Sequence, residues 1–116
     1  MDPLSFTEQT IADHVLLITL GRMLDNNNAE QMVRTITQAQ DRGYTFIIMD
    51  CEQLEFLSSA GVGAILGTIE TSRDQGGDII LCNVSETTAH VLQVLDLLDF
   101  LKVKKTRSEA LAICGA

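Results

Sequence analysis

The sequence has no tryptophan, one tyrosine, one proline, and only 8 lysines and arginines against 16 aspartates and glutamates. The formal net charge of −8 argues against nucleic acid or an anionic membrane as a partner, because phosphate groups repel a negative surface. No apolar run approaches the roughly 20 residues that span a bilayer. The acidic start, Met1-Asp2-Pro3, has neither the basic head nor the apolar core of a signal peptide. We therefore expect a cytoplasmic protein.

Cysteine and histidine are also scarce. The three cysteines, Cys51, Cys82 and Cys114, form no Cys-x-x-Cys motif and lie in or beside apolar runs. We expect them to be buried core thiols in a reducing compartment. The two histidines, His14 and His90, show no ligand spacing with them. We therefore expect no metal site and no cofactor.

The length and composition of the chain fit one globular domain, residues 1–116. With 46% hydrophobic and 21% charged residues, the chain can build a core of its own. Alternating or continuous apolar runs predict strands, which cover residues 4–9, 14–20, 44–51, 78–83 and 101–104. The first two strands are expected to form an antiparallel hairpin with a turn at residues 10–13.

Four helices are predicted to alternate with the later strands, and they cover residues 27–42, 59–74, 85–95 and 108–114. The apolar stripe of the first helix has helical spacing and consists of Ala29, Met32, Val33, Ile36 and Ala39. The third helix is expected to place Val91, Leu92 and Leu95 on one apolar face. Ser85 and Ser108 are the expected N-caps of the last two helices. The alternation predicts an α/β fold with a small mixed, mostly parallel sheet of about five strands, the first strand being an antiparallel edge.

Two adjacent serines, Ser58 and Ser59, lie where the second helix is predicted to begin. Free backbone N–H groups collect there and carry about half a positive charge. A phosphate on Ser59 would add about −1.5 to −2 charges to a neutral surface. The same surface could then accept a partner when neutral and reject it when charged. The alternative is that a serine at this position serves only as an N-cap.

Three glycines follow in the same segment: Gly61, Gly63 and Gly67. Gly-x-Gly is typical of dinucleotide loops, but such a loop directly follows its strand, whereas a longer loop intervenes here. We expect these glycines to allow close packing of the helix against the sheet instead.

We do not expect an enzyme. Ser59 lacks the Gly-x-Ser-x-Gly frame of a nucleophile elbow, and nothing in the sequence ties either histidine to it as a base. Asp50, at the end of a predicted strand, resembles the phosphoryl acceptor of a receiver domain, but the acidic pair of such a site is missing. A protein that works by docking onto a partner is the better interpretation.

Four segments carry a resemblance to a known family. They are residues 20–30 (LGRMLDNNNAE), 56–66 (FLSSAGVGAIL), 78–83 (DIILCN) and 94–100 (VLDLLDF). The second resembles the signature of the STAS family, named for sulfate transporters and anti-sigma factor antagonists. That signature has an aromatic residue, an aliphatic residue, Asp or Ser, the phosphorylated Ser or Thr, a small residue and Gly. The first resembles the family's Gly-x-Leu-Asp segment with one extra residue.

The resemblance implies a STAS-like fold and an anti-sigma factor antagonist. Its partner would be an anti-sigma factor that is also a serine kinase of the histidine-kinase-like ATPase class, and a serine phosphatase could reverse the modification. Ser59 matches the phosphorylated position, with Ser58 as a second candidate. The implied partner-binding residues are Asp25, Asn26, Phe56, Leu57, Ser58, Ser59, Ala60 and Gly61. The alternative is a STAS interaction module in a signalling complex that is not phosphorylated.

Overall fold

Seven strands and four helices make up the part of the chain that the computed structural model describes, residues 6–115. The strands are β1 (Phe6–Ala12), β2 (Val15–Leu20), β3 (Met23–Leu24), β4 (Phe46–Asp50), β5 (Phe56–Leu57), β6 (Asp78–Cys82) and β7 (Lys102–Lys104). The helices are α1 (Ala29–Asp41), α2 (Ser59–Asp74), α3 (Glu86–Val94) and α4 (Arg107–Ile113).

The main sheet has five strands in the order β1-β2-β4-β6-β7. β1 pairs antiparallel with β2, and the other three pairings are parallel. The expected mixed α/β sheet with an antiparallel edge is therefore confirmed. Because strands with the same direction end at the same edge, the loops that follow β2, β4 and β6 collect at one end of the sheet.

Both faces of the sheet are covered, which explains the continuous apolar runs of the central strands. Successive β4 residues alternate between the faces: Ile47 packs into the larger cluster with α1 and α2, and Ile48 into the smaller cluster with α4. The three cysteines are free and buried, as expected. Burial raises the pKa of the Cys51 thiol to about 12, so this thiol stays protonated and unreactive.

Several predicted boundaries were wrong. β1 continues to Ala12, so the turn shrinks to Asp13 and His14; the predicted start of this strand at residue 4 lies outside the described residues. α1 begins at Ala29 instead of residue 27. The N-cap of α4 is Thr106 instead of Ser108, because the Thr106 hydroxyl accepts the Glu109 N–H at 3.1 Å.

Two apolar residues assigned to buried helix faces are exposed. Val33 of α1 and Leu95, the residue that ends α3, both lie at the surface. Helical spacing places a residue near the apolar stripe, but the width of the covered stripe depends on the neighbouring element. Within residues 6–115, no helix combines the length and the apolar character needed to cross a bilayer.

Candidate functional site

The start of α2 gives its two serines different chemistry. Ser58 is the N-cap in extended backbone, and its hydroxyl oxygen accepts the Gly61 N–H at 3.2 Å. Ser59 is the first residue of the helix and is exposed to solvent, whereas Ser58 is half-buried. One hydroxyl therefore stabilises the helix start, and the next one lies at the surface beside the positive end of the helix.

A second, two-stranded sheet holds this helix start in place. β3 pairs in parallel with β5, with Leu24 opposite Leu57. One residue further on, the Ser58 N–H donates to the Leu24 carbonyl oxygen at 3.0 Å. Asp25 directly follows β3, and Ser58 directly follows β5. The pairing of the two strands therefore brings residues 20–30 and residues 56–66 together.

Gly61 allows this close approach. A Cβ atom on Gly61 would lie 2.5 Å from the Leu24 carbonyl oxygen, which is closer than the two atoms can come. The expected role of glycine in close packing is thus confirmed at Gly61, although the neighbour is β3 and not the main sheet. The same expectation was wrong for Gly63 and Gly67, which are exposed and would meet nothing within 4 Å.

The loop between β3 and α1 is braced by Asn28. Its side-chain oxygen accepts the Asp25 N–H at 2.8 Å, and its side-chain nitrogen donates to the Met23 carbonyl oxygen at 2.8 Å. These bonds point back along the loop, so Asn28 does not cap α1 through its side chain. The Asp25 carboxylate accepts the Asn27 N–H at 2.9 Å, which closes a turn of the kind that Asp favours. Asn26 is exposed.

Apolar side chains lie at the surface next to the serines. Phe56 is 54% exposed, and Met23, its partner in the β3–β5 pairing, is 50% exposed. An exposed ion pair between Arg22 and Glu55 flanks them. We define the docking surface as the exposed residues Met23, Asn26, Phe56 and Ser59 together with the half-buried Asp25. Asp25 and Asn26 belong to the loop between β3 and α1.

The remaining candidates lie beneath the docking surface. Leu57 and Gly61 are buried and Ala60 is half-buried, so they support the surface from inside in the free chain. Met23 was missed by the sequence analysis, because a two-residue strand has no periodicity to read and its exposure depends on the pairing with Phe56.

Asp50 anchors the loop that leads from β4 to Ser59. It is 1% exposed, and its carboxylate accepts the Glu52 N–H at 3.1 Å and the Asn83 side-chain N–H at 3.0 Å. The Arg107 guanidinium donates to it at 2.8 Å and 3.2 Å. Burial alone would raise the pKa of Asp50, but these hydrogen bonds and the Arg107 charge together hold it below its usual value.

This geometry explains why Asp50 is a poor phosphoryl acceptor. Both of its oxygens already accept hydrogen bonds, and the side chain is sealed from solvent. Within residues 6–115, no three His, Cys, Asp or Glu side chains cluster in a way that could hold a metal ion.

A protein-family model matches most of the chain. The model, described as the STAS domain, covers residues 7–110. The chain belongs to the STAS family. The four segments that carried the resemblance in the sequence all lie within the matched residues.

Relatives of this STAS protein are bacterial regulators. The anti-sigma F factor antagonist of Lysinibacillus sphaericus is 34% identical over 89 residues, which are 76% of each chain. The anti-sigma F factor antagonist of Paenibacillus polymyxa is 26% identical over 98 residues, which are 84% of each chain.

Solved structures agree with the fold. The anti-sigma factor antagonist SpoIIAA in its unphosphorylated form has a TM-score of 0.84 and 30% identity, and the match covers 96% of this chain and 97% of that one. The phosphorylated form of Bacillus SpoIIAA has a TM-score of 0.75 at 30% identity, over 94% and 98% of the two chains. The STAS-like fold is thereby confirmed.

Proposed function

We propose that this STAS protein is an anti-sigma factor antagonist whose docking surface binds an anti-sigma factor and is switched off by phosphorylation of Ser59. The single observation that carries the proposal is the position of Ser59. It is exposed at the first position of α2, within a chain similar to antagonists that include one solved in both unphosphorylated and phosphorylated forms.

The charges around Ser59 indicate that phosphorylation would change the surface of the protein without unfolding α2. The first turn of α2 contains no acidic residue, so a phosphate would meet the positive helix end without a like charge in that turn. The cap from Ser58 is a separate hydroxyl and stays in place. Phosphorylation would therefore leave the helix folded and change only what the surface presents.

The neighbouring side chains explain why a phosphate would reject the partner. Met23 and Phe56 offer apolar contact area, and the acidic Asp25 and Glu55 lie beside them. A partner that covers this surface would place apolar side chains against Met23 and Phe56, and basic side chains against the acidic residues at the rim. A phosphate on Ser59 that such a partner covered would lose its hydration, which costs several kcal/mol when no additional positive charge of the partner compensates it.

The partner's class and the cellular setting follow from the same proposal. An anti-sigma factor that is also a serine kinase of the histidine-kinase-like ATPase class would bind the docking surface and modify Ser59, and a serine phosphatase would restore the free hydroxyl. The chain would act as one STAS domain over residues 1–116, in the cytoplasm, where sigma factors work. It would bind and be modified without catalysing a reaction itself.

Phosphorylation can be mapped directly. The purified chain is incubated with the anti-sigma factor kinase of the same organism and ATP, and modified peptides are identified by mass spectrometry. We expect one phosphate, on Ser59. The Ser59→Ala variant should remain unmodified, whereas Ser58→Ala, the matched control, should still be phosphorylated. A phosphate that persists in Ser59→Ala, or one found on Ser58 alone, would contradict the proposal.

A further inference from the structure

One arginine outside the docking surface reaches the carboxylate that anchors the loop before α2. Arg107 is the first residue of α4, a helix that packs with Ile48 and Ile80 on the face of the main sheet opposite to α1 and α2. Its side chain is 45% exposed, whereas the side chain of its partner Asp50 is 1% exposed. Among residues 6–115, no other basic side chain forms an ion pair with Asp50. A single cation therefore compensates this buried negative charge.

The two oxygens of the Asp50 carboxylate have separate partners. Oδ2 accepts both hydrogen bonds from the Arg107 guanidinium, at 2.8 Å from Nη2 and at 3.2 Å from Nε. Oδ1 accepts the Glu52 N–H at 3.1 Å and the Asn83 side-chain N–H at 3.0 Å. Because a carboxylate is planar, the charged hydrogen bonds to Oδ2 fix the direction in which Oδ1 points. Arg107 thereby orients the oxygen that holds the Glu52 N–H.

A short, constrained stretch of chain leads from Glu52 to the docking surface. The Leu54 N–H donates to the Cys51 carbonyl oxygen at 3.1 Å, and the Leu54 side chain is buried. Phe56 then begins β5, which ends directly before the residue that caps α2. A shift of the turn at Glu52 therefore reaches exposed residues of the docking surface within a few positions.

We infer that Arg107 is a positioning residue for the docking surface: through Asp50, it keeps the loop before α2 in the conformation that the anti-sigma factor binds. Without the guanidinium, the buried carboxylate would have only neutral donors, which do not offset its lost hydration. The carboxylate would turn toward solvent, and Oδ1 would release the Glu52 N–H. The effect on binding rests on the proposed function, whereas the link between Arg107 and the loop does not.

Amide hydrogen exchange of the free chain tests the link between Arg107 and the loop. Arg107→Ala should speed exchange at the Glu52 and Leu54 amides at least about tenfold, because the loop opens locally. Arg107→Lys, which keeps the positive charge, should restore part of the protection. The control Ile36→Val removes a buried methylene group of α1 far from Asp50 in sequence. It should lower the stability of the whole chain and leave exchange at the two loop amides within about twofold.

Binding rates show whether the position of the loop governs docking. If only a fraction of the free chains holds the loop correctly, the apparent affinity falls by that fraction. Surface plasmon resonance with the anti-sigma factor should give an association rate constant at least about fivefold lower for Arg107→Ala, with a dissociation rate constant within about twofold of the unmodified chain. Loss of a direct contact would instead raise the dissociation rate, and a general loss of stability, as in Ile36→Val, would change neither rate.

A double-mutant cycle tests whether Arg107 acts through Asp50. In the Asp50→Asn background, Arg107→Ala should slow association by less than a further factor of about two, because the buried charge that Arg107 compensates is already gone. Circular dichroism confirms that each variant is folded before its rates are compared. If Arg107→Ala slowed association by the same factor in both backgrounds, Arg107 would not act through Asp50 and the inference would be overturned.

The two experiments separate this inference from the proposed function. Equal exchange at the loop amides in Arg107→Ala and Ile36→Val would overturn the inference, as would an effect of Arg107→Ala on the dissociation rate alone. Failure of the proposed function has a different sign, since the unmodified chain itself would not bind the anti-sigma factor. The exchange experiment uses the free chain, so it would still decide whether Arg107 positions the loop.

Discussion

At the scale of single residues, Ser58 and Ser59 divide two tasks between adjacent hydroxyl groups. Ser58 satisfies a free N–H of the first turn of α2 through Gly61, and Ser59 lies exposed one residue later. A modification of Ser59 therefore alters the charge of the docking surface while the helix keeps its cap. This separation allows a reversible change in binding without a change in fold.

The division of tasks predicts different stability effects. Ser58→Ala should lower the free energy of unfolding by about 1 kcal/mol, since it removes an N-cap hydrogen bond. Ser59→Ala should change it by less than about 0.5 kcal/mol, since the side chain is exposed. Urea denaturation followed by circular dichroism measures both. Equal decreases in the free energy of unfolding of the two variants would show that the Ser58 hydroxyl does not stabilise α2 as its N-cap.

The sequence predicted the chemistry of these residues better than their exposure. A serine pair before a helical pattern predicts a cap and a free hydroxyl, because helix starts have a fixed set of unpaired N–H groups. Whether Phe56 or Leu57 faces solvent could not be predicted. Their orientations depend on pairing with Met23 and Leu24, residues more than thirty positions earlier.

At the scale of secondary-structure elements, the β3–β5 sheet holds the two halves of the docking surface together. It fastens the loop before α1 to the loop before α2, and its hydrogen bonds continue into the cap through Leu24 and Ser58. The orientation of Asp25 relative to Ser59 therefore depends on a contact between β3 and α2. Gly61 is the residue at which that contact is closest.

Two glycines of α2 should respond in opposite directions to alanine. Gly61→Ala should destabilise the protein by about 1–3 kcal/mol, because the added methyl group collides with the Leu24 carbonyl. Gly63→Ala meets nothing within 4 Å and should stabilise the helix by roughly 0.5–1 kcal/mol. Thermal and urea unfolding measure both variants. Stabilisation by Gly61→Ala would contradict the close packing of α2 on β3.

Long elements were predictable and short ones were not. The buried strands β4 and β6 and the helix α2 have apolar patterns over five or more residues, and their predicted positions agree with the structure to within one or two residues at most boundaries. β3 and β5 have two residues each, too few for a period. The start of α1 was misplaced because the Asn28 side chain bonds backward to Met23 and Asp25, which propensity does not reveal.

At the scale of the whole molecule, one buried carboxylate connects the end of β4 to the loop after β6 and to the start of α4. Asp50 ends β4, bonds to Asn83 after β6 and pairs with Arg107 at the start of α4. The same carboxylate holds the first turn of the loop that leads to Ser59 through the Glu52 N–H. The loop that carries Ser59 is thus held by two contacts, one with the buried Asp50 carboxylate and one between Ser58 and Leu24 of β3.

This connection predicts a loss of stability in acid. The pKa of Asp50 is lower in the folded chain than its ordinary value, so the carboxylate stabilises the fold above the unfolded pKa of about 4, and this contribution is lost as pH falls through the lower, folded pKa. Urea unfolding of the chain from pH 7 to pH 2.5 should show it.

The Asp50→Asn variant provides the comparison. It should be less stable by about 2 kcal/mol at pH 7, because charged hydrogen bonds to Arg107 are lost, and its stability should fall less steeply below pH 4. A variant with the same acid profile as the unmodified chain would show that other carboxylates cause the acid loss.

The most direct test compares the affinity of two forms of the same chain. Isothermal titration calorimetry with the anti-sigma factor would use the unmodified chain and the chain carrying one phosphate on Ser59, with Ser59→Ala as the uncharged control. We predict that the phosphate weakens binding at least about tenfold, which is about 1.4 kcal/mol, and that Ser59→Ala binds as the unmodified chain does. Equal affinity of the phosphorylated and unmodified forms would contradict the account.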